Sequence, residues 1–282
     1  PMPTGVDHPE FIGDQVIYYV MNDGVATNHD IFGTAPLGLE IRMTIWGYDI
    51  QNPYGDMMFV QAEIINLGGH EIEDTYIGLW SDPDIGNPGD DYVGCDTSLS
   101  LGFAYNDGSD DIYGLNCPTI GYDFFQAAVP SRDEAGNLIM TDEQYINGEM
   151  VGGYTNLPLS SFTKYINSDE IYTDPNDADE AYYYMQGYRR DGSPFINSAT
   201  GEPSKYVHPD DPNYNVDAND LIWGDSDDHE SGERRVLMNV GPFDLLPNDK
   251  ANLLFPSIVH RGETSLHSIT ELKRIDVFAP AS

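Results

Sequence analysis

Asp82, Asp84, Asp90, Asp91 and Asp96 fall within fifteen positions, spaced by glycine and proline directly after an apolar run that ends at Trp80. Carboxylates crowded on a turn-rich backbone repel one another unless a cation stands between them. An all-oxygen donor set suits a hard ion, Ca2+ before Mg2+ or Zn2+. The spacing is not that of an EF-hand loop. The expectation is that several of the five ligate Ca2+, with backbone carbonyls and water completing the shell. The competing reading is a set of Asx turns in which each aspartate caps its own backbone.

Other chemically capable residues form weaker patterns. Asp174, Asp177, Asp179 and Glu180 make a second acidic run, read as a solvated loop leading into a helix. Asp225, Asp227, Asp228, His229 and Glu230 read the same way. The seven histidines form neither His-x-x-x-His nor His-Glu-x-x-His, so a zinc enzyme has little support. No Gly-x-Ser-x-Gly elbow is present, which leaves a hydrolase as a minor alternative resting on no motif. Tyr182, Tyr183, Tyr184, Tyr188 and Tyr206 are read first as packing, then as partner contacts, then as a glycan-stacking face. Cys95 and Cys117, with turn-rich sequence between them, are expected to pair if the chain is exported. Such a bridge would contribute roughly 3 kcal/mol, and two buried thiols are the alternative.

Composition narrows the class. The 282 residues carry 48 acidic against 12 basic side chains, a net charge of −36, yet 40% are hydrophobic. That is enough for a real core and argues against disorder. The charge argues against nucleic-acid binding, which needs a basic footprint, and against docking on an anionic membrane. No apolar run approaches the roughly 18 residues of a membrane span. The chain opens at Pro1, and the expectation is an exported product whose signal peptide has been removed.

The elements that must position these groups follow from periodicity. Residues 1–13 read as an extended arm and 14–21 as a strand. From Leu37 to Tyr48, Leu39, Ile41, Met43 and Ile45 alternate with Glu40, Arg42 and Thr44, the mark of a half-buried strand. Met57–Ile65 and Glu71–Trp80, separated by Asn66-Leu67-Gly68-Gly69, are expected to form an antiparallel hairpin. Between 81 and 235 the chain is irregular, with short elements expected near 99–105, 121–128, 161–166 and 181–188. Alternation returns at 235–240, 241–250 and 251–260. From Thr264 to Phe278, Leu266, Ile269, Leu272, Ile275 and Phe278 fall three apart, which predicts a helix.

Several blocks of this sequence are similar to a known kind of module. They include Gly13-Asp14-Gln15, Pro36-Leu37-Gly38-Leu39-Glu40-Ile41 and Ile64-Ile65-Asn66. The most specific are Tyr76-Ile77-Gly78-Leu79-Trp80-Ser81-Asp82-Pro83-Asp84-Ile85-Gly86 and Asp90-Asp91-Tyr92-Val93-Gly94-Cys95-Asp96-Thr97, followed by Gly102-Phe103-Ala104-Tyr105-Asn106. Gly121-Tyr122-Asp123-Phe124-Phe125-Gln126, Gln186-Gly187 and Gly241-Pro242-Phe243 continue the pattern. Over nearly its full length the chain resembles an uncharacterised extracellular module of large secreted proteins of Bacteroidetes-like bacteria, proteins that often end in a sorting domain for type IX secretion. The resemblance implies an extracellular or cell-surface location and a non-catalytic role.

The expectation is therefore a mainly β protein built as an Ig-like β-sandwich with a C-terminal helix. Residues 1–80 and 236–282 would supply the sandwich and helix, and 81–235 a long α+β insertion, all in one composite domain. Function would be structural or adhesive and stabilised by calcium, with partners among other extracellular proteins or copies of itself. A subunit of a filament or surface layer, a glycan-binding module and a hydrolase are the alternatives.

Overall fold

The computed structural model describes residues 12–213 and 222–278; the expected N-terminal arm lies almost wholly outside them. In chain order the strands are β1 (Gln15–Asn22), β2 (Leu39–Gly47), β3 (Met57–Asn66), β4 (Ile72–Ser81), β5 (Asp91–Asp96), β6 (Leu101–Asn106), β7 (Thr119–Asp123) and β8 (Gln126–Pro130). Three short strands follow, β9 (Glu143–Ile146), β10 (Glu149–Gly152) and β11 (Tyr154–Asn156), then β12 (Ser161–Tyr165). Helix α1 (Ala178–Met185) and the small hairpin β13 (Phe195–Ile196) and β14 (Pro203–Ser204) precede α2 (Asp225–Asp228). The chain closes with β15 (Arg235–Leu245), β16 (Lys250–His260) and α3 (Ser265–Phe278).

The fold is mainly β, made of antiparallel sheets with a C-terminal helix. A nine-stranded sheet runs β1-β2-β3-β16-β7-β6-β5, with β8 also pairing β16 and β11 pairing β8. A three-stranded sheet runs β12-β15-β4. One core joins them, in which Ala62, Val93, Ala104 and Leu253 of the large sheet pack with Phe162, Val236, Met238 and Val240 of the small one. On the opposite face of the large sheet, Ile269, Leu272 and Ile275 of α3 pack on Met57, Phe59, Leu101, Phe103 and Ile258. Burying each of these three helix side chains is worth roughly 1.5–3 kcal/mol. Two glycines permit the layers to close. A Cβ on Gly102 would stand 2.7 Å from Met238 Sδ, and one on Gly121 would stand 2.8 Å from Leu272.

The expected hairpin of β3 and β4 does not form. β3 pairs with β2 and β16 in the large sheet, whereas β4 pairs with β15 in the small one. The turn at 67–70 is a corner between layers, and the turn from β15 to β16 is a second corner beside it. Asn66 holds the two together. Its side-chain amide donates to the carbonyls of His70 (2.7 Å) and Leu245 (2.8 Å), and its backbone N–H donates to Asp249 (3.1 Å). Asparagine here satisfies backbone groups that a corner leaves unpaired. The pieces read separately at 235–240 and 241–250 likewise form one strand, β15, whose register with β4 shifts between Val240 and Leu245.

Elements expected between 81 and 235 occur where the periodicity placed them, but they are not an appendage. β5 to β8 extend the large sheet through β16, and β12 completes the small one through β15. α1 begins at Asp177, whose side chain accepts from the Glu180 N–H at 2.9 Å, and ends before Gly187 at φ 82°. The acidic run 174–180 is thus a capped helix start.

Candidate functional site

Few cations occur in this chain, and two of them are buried against one carboxylate. All five residues of β12 are buried, Lys164 among them. Its ammonium contacts Asp225, the first residue of α2, and both side chains have no exposed surface. Arg234, just ahead of β15, donates from Nε to the other oxygen of Asp225 at 2.9 Å, and the Val93 N–H of β5 donates to that oxygen at 3.0 Å. One carboxylate therefore fastens β5, β12, α2 and the start of β15. Burial alone would raise the pKa of Asp225, but Lys164 and Arg234 outweigh it and hold the group ionised. For Lys164 burial wins over the attraction to Asp225 and lowers its pKa to about 8.

Aromatic and imidazole rings enclose the pair. The Lys164 ammonium lies 4.7 Å from the centroid of the Tyr172 ring, which stacks on Phe195 at 5.5 Å. His229 Nδ1 accepts from Lys164 at 3.1 Å, which assigns the ring proton to Nε2, 3.7 Å from an Asp169 oxygen. His208 is wholly buried and packs edge-on against Trp223, with centroids 5.1 Å apart. Among the described residues neither of its ring nitrogens has a hydrogen-bond partner. Burial, reinforced by Lys164, lowers its pKa to about 3, so the ring is neutral. Asp228 is set by Trp223 Nε1 at 2.5 Å and Ser198 Oγ at 2.7 Å.

Ligand atoms of His208, Asp228 and His229 lie within 4.8 Å of one another, the spacing a transition metal uses. The donor chemistry argues against that use. The His229 Nδ1 lone pair is engaged by Lys164, and a second cation, Arg234, stands behind Asp225. Lys164 supplies the positive charge that a metal would bring. Lys164, Asp225 and His208 have no exposed side-chain surface and hold the elements together, while His229, with 25% of its side chain exposed, is the member that reaches solvent.

The expected calcium ligands separate into groups. The Asp91 carboxylate is buried at the start of β5, accepts the Ile85 N–H at 3.1 Å, and has its pKa raised to about 7, first by burial and then by Asp90, Asp84 and Asp110. Asp90 Oδ1 and Asp91 Oδ1 are buried without a hydrogen-bond partner among the described residues. Asp110, absent from the sequence-based set, closes this corner by accepting the backbone N–H groups of Asn87 (2.8 Å) and Ile112 (2.7 Å). Asp82 has its pKa raised by burial and then by Asp84, with Glu233, Arg235 and Asp174 also acting on it. Asp96 is at the far end of β5, paired with Lys273 at 3.0 Å and bonded by Ser98, so it is not part of this corner.

The expected disulfide is not formed: Cys95 and Cys117 are free and buried. Register explains this. Cys95 stands opposite Gly102, and Gly102 opposite Tyr122, so Cys117 is two strands across and five residues along. Their Cα atoms are roughly 15–20 Å apart on standard strand spacings, beyond the roughly 7 Å reach of a bridge. Burial raises both thiol pKa values, that of Cys117 to about 12. Ellman titration should therefore find two thiols in the air-oxidised, denatured protein and slow labelling of the native one. A single bridged species on a non-reducing gel would contradict the register.

Of the five tyrosines, Tyr184 is fully buried, with its hydroxyl bonded to the Thr173 carbonyl at 2.7 Å, so it cannot contact a partner or glycan. Tyr182 donates to the Asp74 carbonyl at 2.6 Å and Tyr206 to that of Leu159 at 2.9 Å, both uses being internal. Tyr183 keeps an exposed ring against Gly192, and Tyr188 lies under Lys205 at 5.7 Å.

The run Asp225–Glu230 was read as a solvated loop, and its first residue proves to be the anchor of the cluster. A signal existed. Lys164 interrupts the apolar stretch Phe162–Tyr165 in a chain short of cations, and a lysine in a buried strand requires a carboxylate. A second buried acidic pair also escaped the sequence. Asp123 on β7 and Asp276 on α3 are 6% and 4% exposed. Burial, then the charge of Asp276, raises the pKa of Asp123, and burial raises that of Asp276. No protein-family model, curated protein or solved structure matches this chain.

Proposed function

We propose that this chain is a non-catalytic structural or adhesive module of an exported protein, working outside the cell or at its surface. The observation that carries the reading is the buried Lys164–Asp225–Arg234 cluster, whose charges are spent on one another and lock the middle of the sequence onto the strands at its end. Rigidity is the product of that arrangement, and rigidity is what an extracellular scaffold needs. The two facing antiparallel sheets with their shared core are read, in this proposal, as a sandwich of Ig-like type. An acidic surface keeps such a module soluble by self-repulsion.

Calcium belongs to the same proposal at a narrower site than the five aspartates. Asp90 and Asp91 each bury a carboxylate oxygen that has no donor among the described residues, and a hard cation completed by backbone carbonyls and water would satisfy both. Melting the protein in calcium and in chelator tests it. A fall in the midpoint on chelation, abolished by Asp91→Asn, is the expected outcome. An equal midpoint in both removes calcium and leaves the internal ion cluster as the brace. The structural reading itself fails if Lys164 in the native protein reacts readily with an amine-directed reagent, because a sealed ammonium cannot.

A further inference from the structure

A lysine and an aspartate buried against each other can do more than attract. Lys164 on β12 and Asp225 on α2 have no exposed side-chain surface, and the Lys164 ammonium is in direct contact with Asp225 Oδ1. A buried ion pair is costly, because lost hydration offsets most of the attraction. Condensing the pair into an amide removes both charges. The groups around the contact are placed as that condensation requires. The second carboxylate oxygen, Oδ2, accepts from Arg234 Nε at 2.9 Å and from the Val93 N–H at 3.0 Å. Two fixed donors on one oxygen are what steadies the oxyanion of a tetrahedral intermediate. His229 Nδ1 stands 3.1 Å from the Lys164 nitrogen and 3.9 Å from Oδ1, so one imidazole reaches both the attacking and the departing atom. His208 Nε2, without a hydrogen-bond partner among the described residues, lies 3.7 Å from the same Oδ1. A cleft of about 290 Å³, lined by Asn167, His229, Gly232 and Arg234 among others, leads from the cluster to solvent.

We propose that Lys164 and Asp225 join in an intramolecular isopeptide bond, formed in the folded chain with the loss of one water. The step balances within the pair. Lys164 passes one proton to Oδ1 across their contact, which leaves a neutral amine against a neutral carboxyl. The amine lone pair forms the Nζ–Cγ bond, and the π pair of the carbonyl moves onto Oδ2, where Arg234 and the Val93 N–H receive it. His229 Nδ1 takes a second proton from the nitrogen and delivers it to Oδ1. The Cγ–Oδ1 bond then breaks, water leaves by the cleft, and the carbonyl re-forms at Oδ2. The amide keeps the third proton, and no other reactant is consumed. Burial lowers the pKa of Lys164 to about 8 and eases the first transfer, whereas the lowered pKa of Asp225 opposes it. Fixed contact compensates, because the neutral pair is held ready for attack whenever it forms. Arg234 keeps Oδ2 as an acceptor in the product, and its other nitrogens donate to the carbonyls of Glu233 and Glu230 at 3.3 and 2.5 Å. The bond joins residues 61 positions apart and makes the brace between β12 and α2 covalent, a role that rests on the structural reading proposed above.

Intact-mass spectrometry of the full chain, held folded at about pH 8, near the pKa of Lys164, and then denatured, tests the proposal. The expected mass is one water below that of the 31.3 kDa sequence, and a tryptic digest should contain residues 133–189 and 206–234 as one branched peptide. Lys164→Met should keep its full mass. His229→Ala leaves both reacting groups in place and should form the bond ~100-fold more slowly, the usual contribution of a positioned base. A wild-type chain that keeps its full mass overturns the proposal. If Lys164 in that chain still resists an amine-directed reagent, the ionic brace stands without the cross-link; if it reacts, both readings fall. A water lost equally from Lys164→Met comes from elsewhere in the chain and also overturns the proposal, as does a rate that His229→Ala leaves unchanged. The wild-type digest decides the matter even where a variant does not fold.

Discussion

Asparagine at position 225 is expected to lower the unfolding free energy by ~3–5 kcal/mol, the cost of leaving buried charge without its counter-ion. The substitution preserves the shape of the side chain and an acceptor for the Val93 N–H, so the loss isolates the charge. Lys164 and Arg234 would both remain in a site with no exposed surface on the lysine. A fall in the urea midpoint with an unchanged slope reads the effect as stability. Adding Lys164→Met to Asp225→Asn should recover part of the loss, because residues in contact couple by ~0.5–3 kcal/mol. If Asp225→Asn melts within ~0.5 kcal/mol of the parent, as ordinary surface changes do, the cluster is not a brace and the proposed role loses its support.

Replacing Asp123 with asparagine should act in the other direction, and increasingly so as pH rises. In the folded chain burial raises the pKa of both Asp123 and Asp276 well above the ordinary carboxylate range, whereas the unfolded chain has released both protons above that range. The native state thus binds more protons, and stability falls as pH increases across that window, by up to ~1.4 kcal/mol per pH unit for each retained proton. His208, lowered to about 3, and Lys164, lowered to about 8, shift stability the opposite way over their own windows. The difference between variant and parent is therefore the informative quantity. It should favour Asp123→Asn by a growing margin from pH 5 to 8, above the range in which an unfolded carboxyl titrates. A constant difference over that range would mean that Asp123 does not retain its proton in the folded chain.

Much of the architecture was legible from periodicity, and what escaped was the partnership between elements. Alternation located β2, β3, β4 and β16 within a residue or two, and spacing at threes located α3, because each of these segments has one buried face that its own sequence records. The destination of β4 was not recorded. A hairpin and a corner both use glycine at 68 and 69, and what decides between them is Asn66 reaching Leu245 across 179 residues of sequence. The site was hidden for a related reason. Asp225, His229 and Arg234 lie within ten residues, but Lys164 and His208 come from separate segments, and each alone resembles an ordinary polar residue. The aspartates at 82–96 attracted attention because they are neighbours in sequence, yet β5 carries Asp91 and Asp96 to opposite ends and Lys273 claims the latter. Tyrosine-rich sequence was equally ambiguous, since a ring packed with its hydroxyl on a carbonyl and a ring waiting for a sugar have the same letters.

The position of β16 has a consequence for how the chain comes to be folded. Residues 250–260 lie in the middle of the large sheet, between β3 on one side and β7 and β8 on the other, and β15 does the same for the small sheet. Neither sheet can be assembled by an N-terminal portion of the polypeptide. Pairings of such wide sequence separation must wait for loop closure and make for slow folding. A chain emerging from its start would hold its first 249 residues with both halves of the large sheet unjoined. Topology thus delays cooperative structure until the last strands are available, which keeps a growing polypeptide open until then.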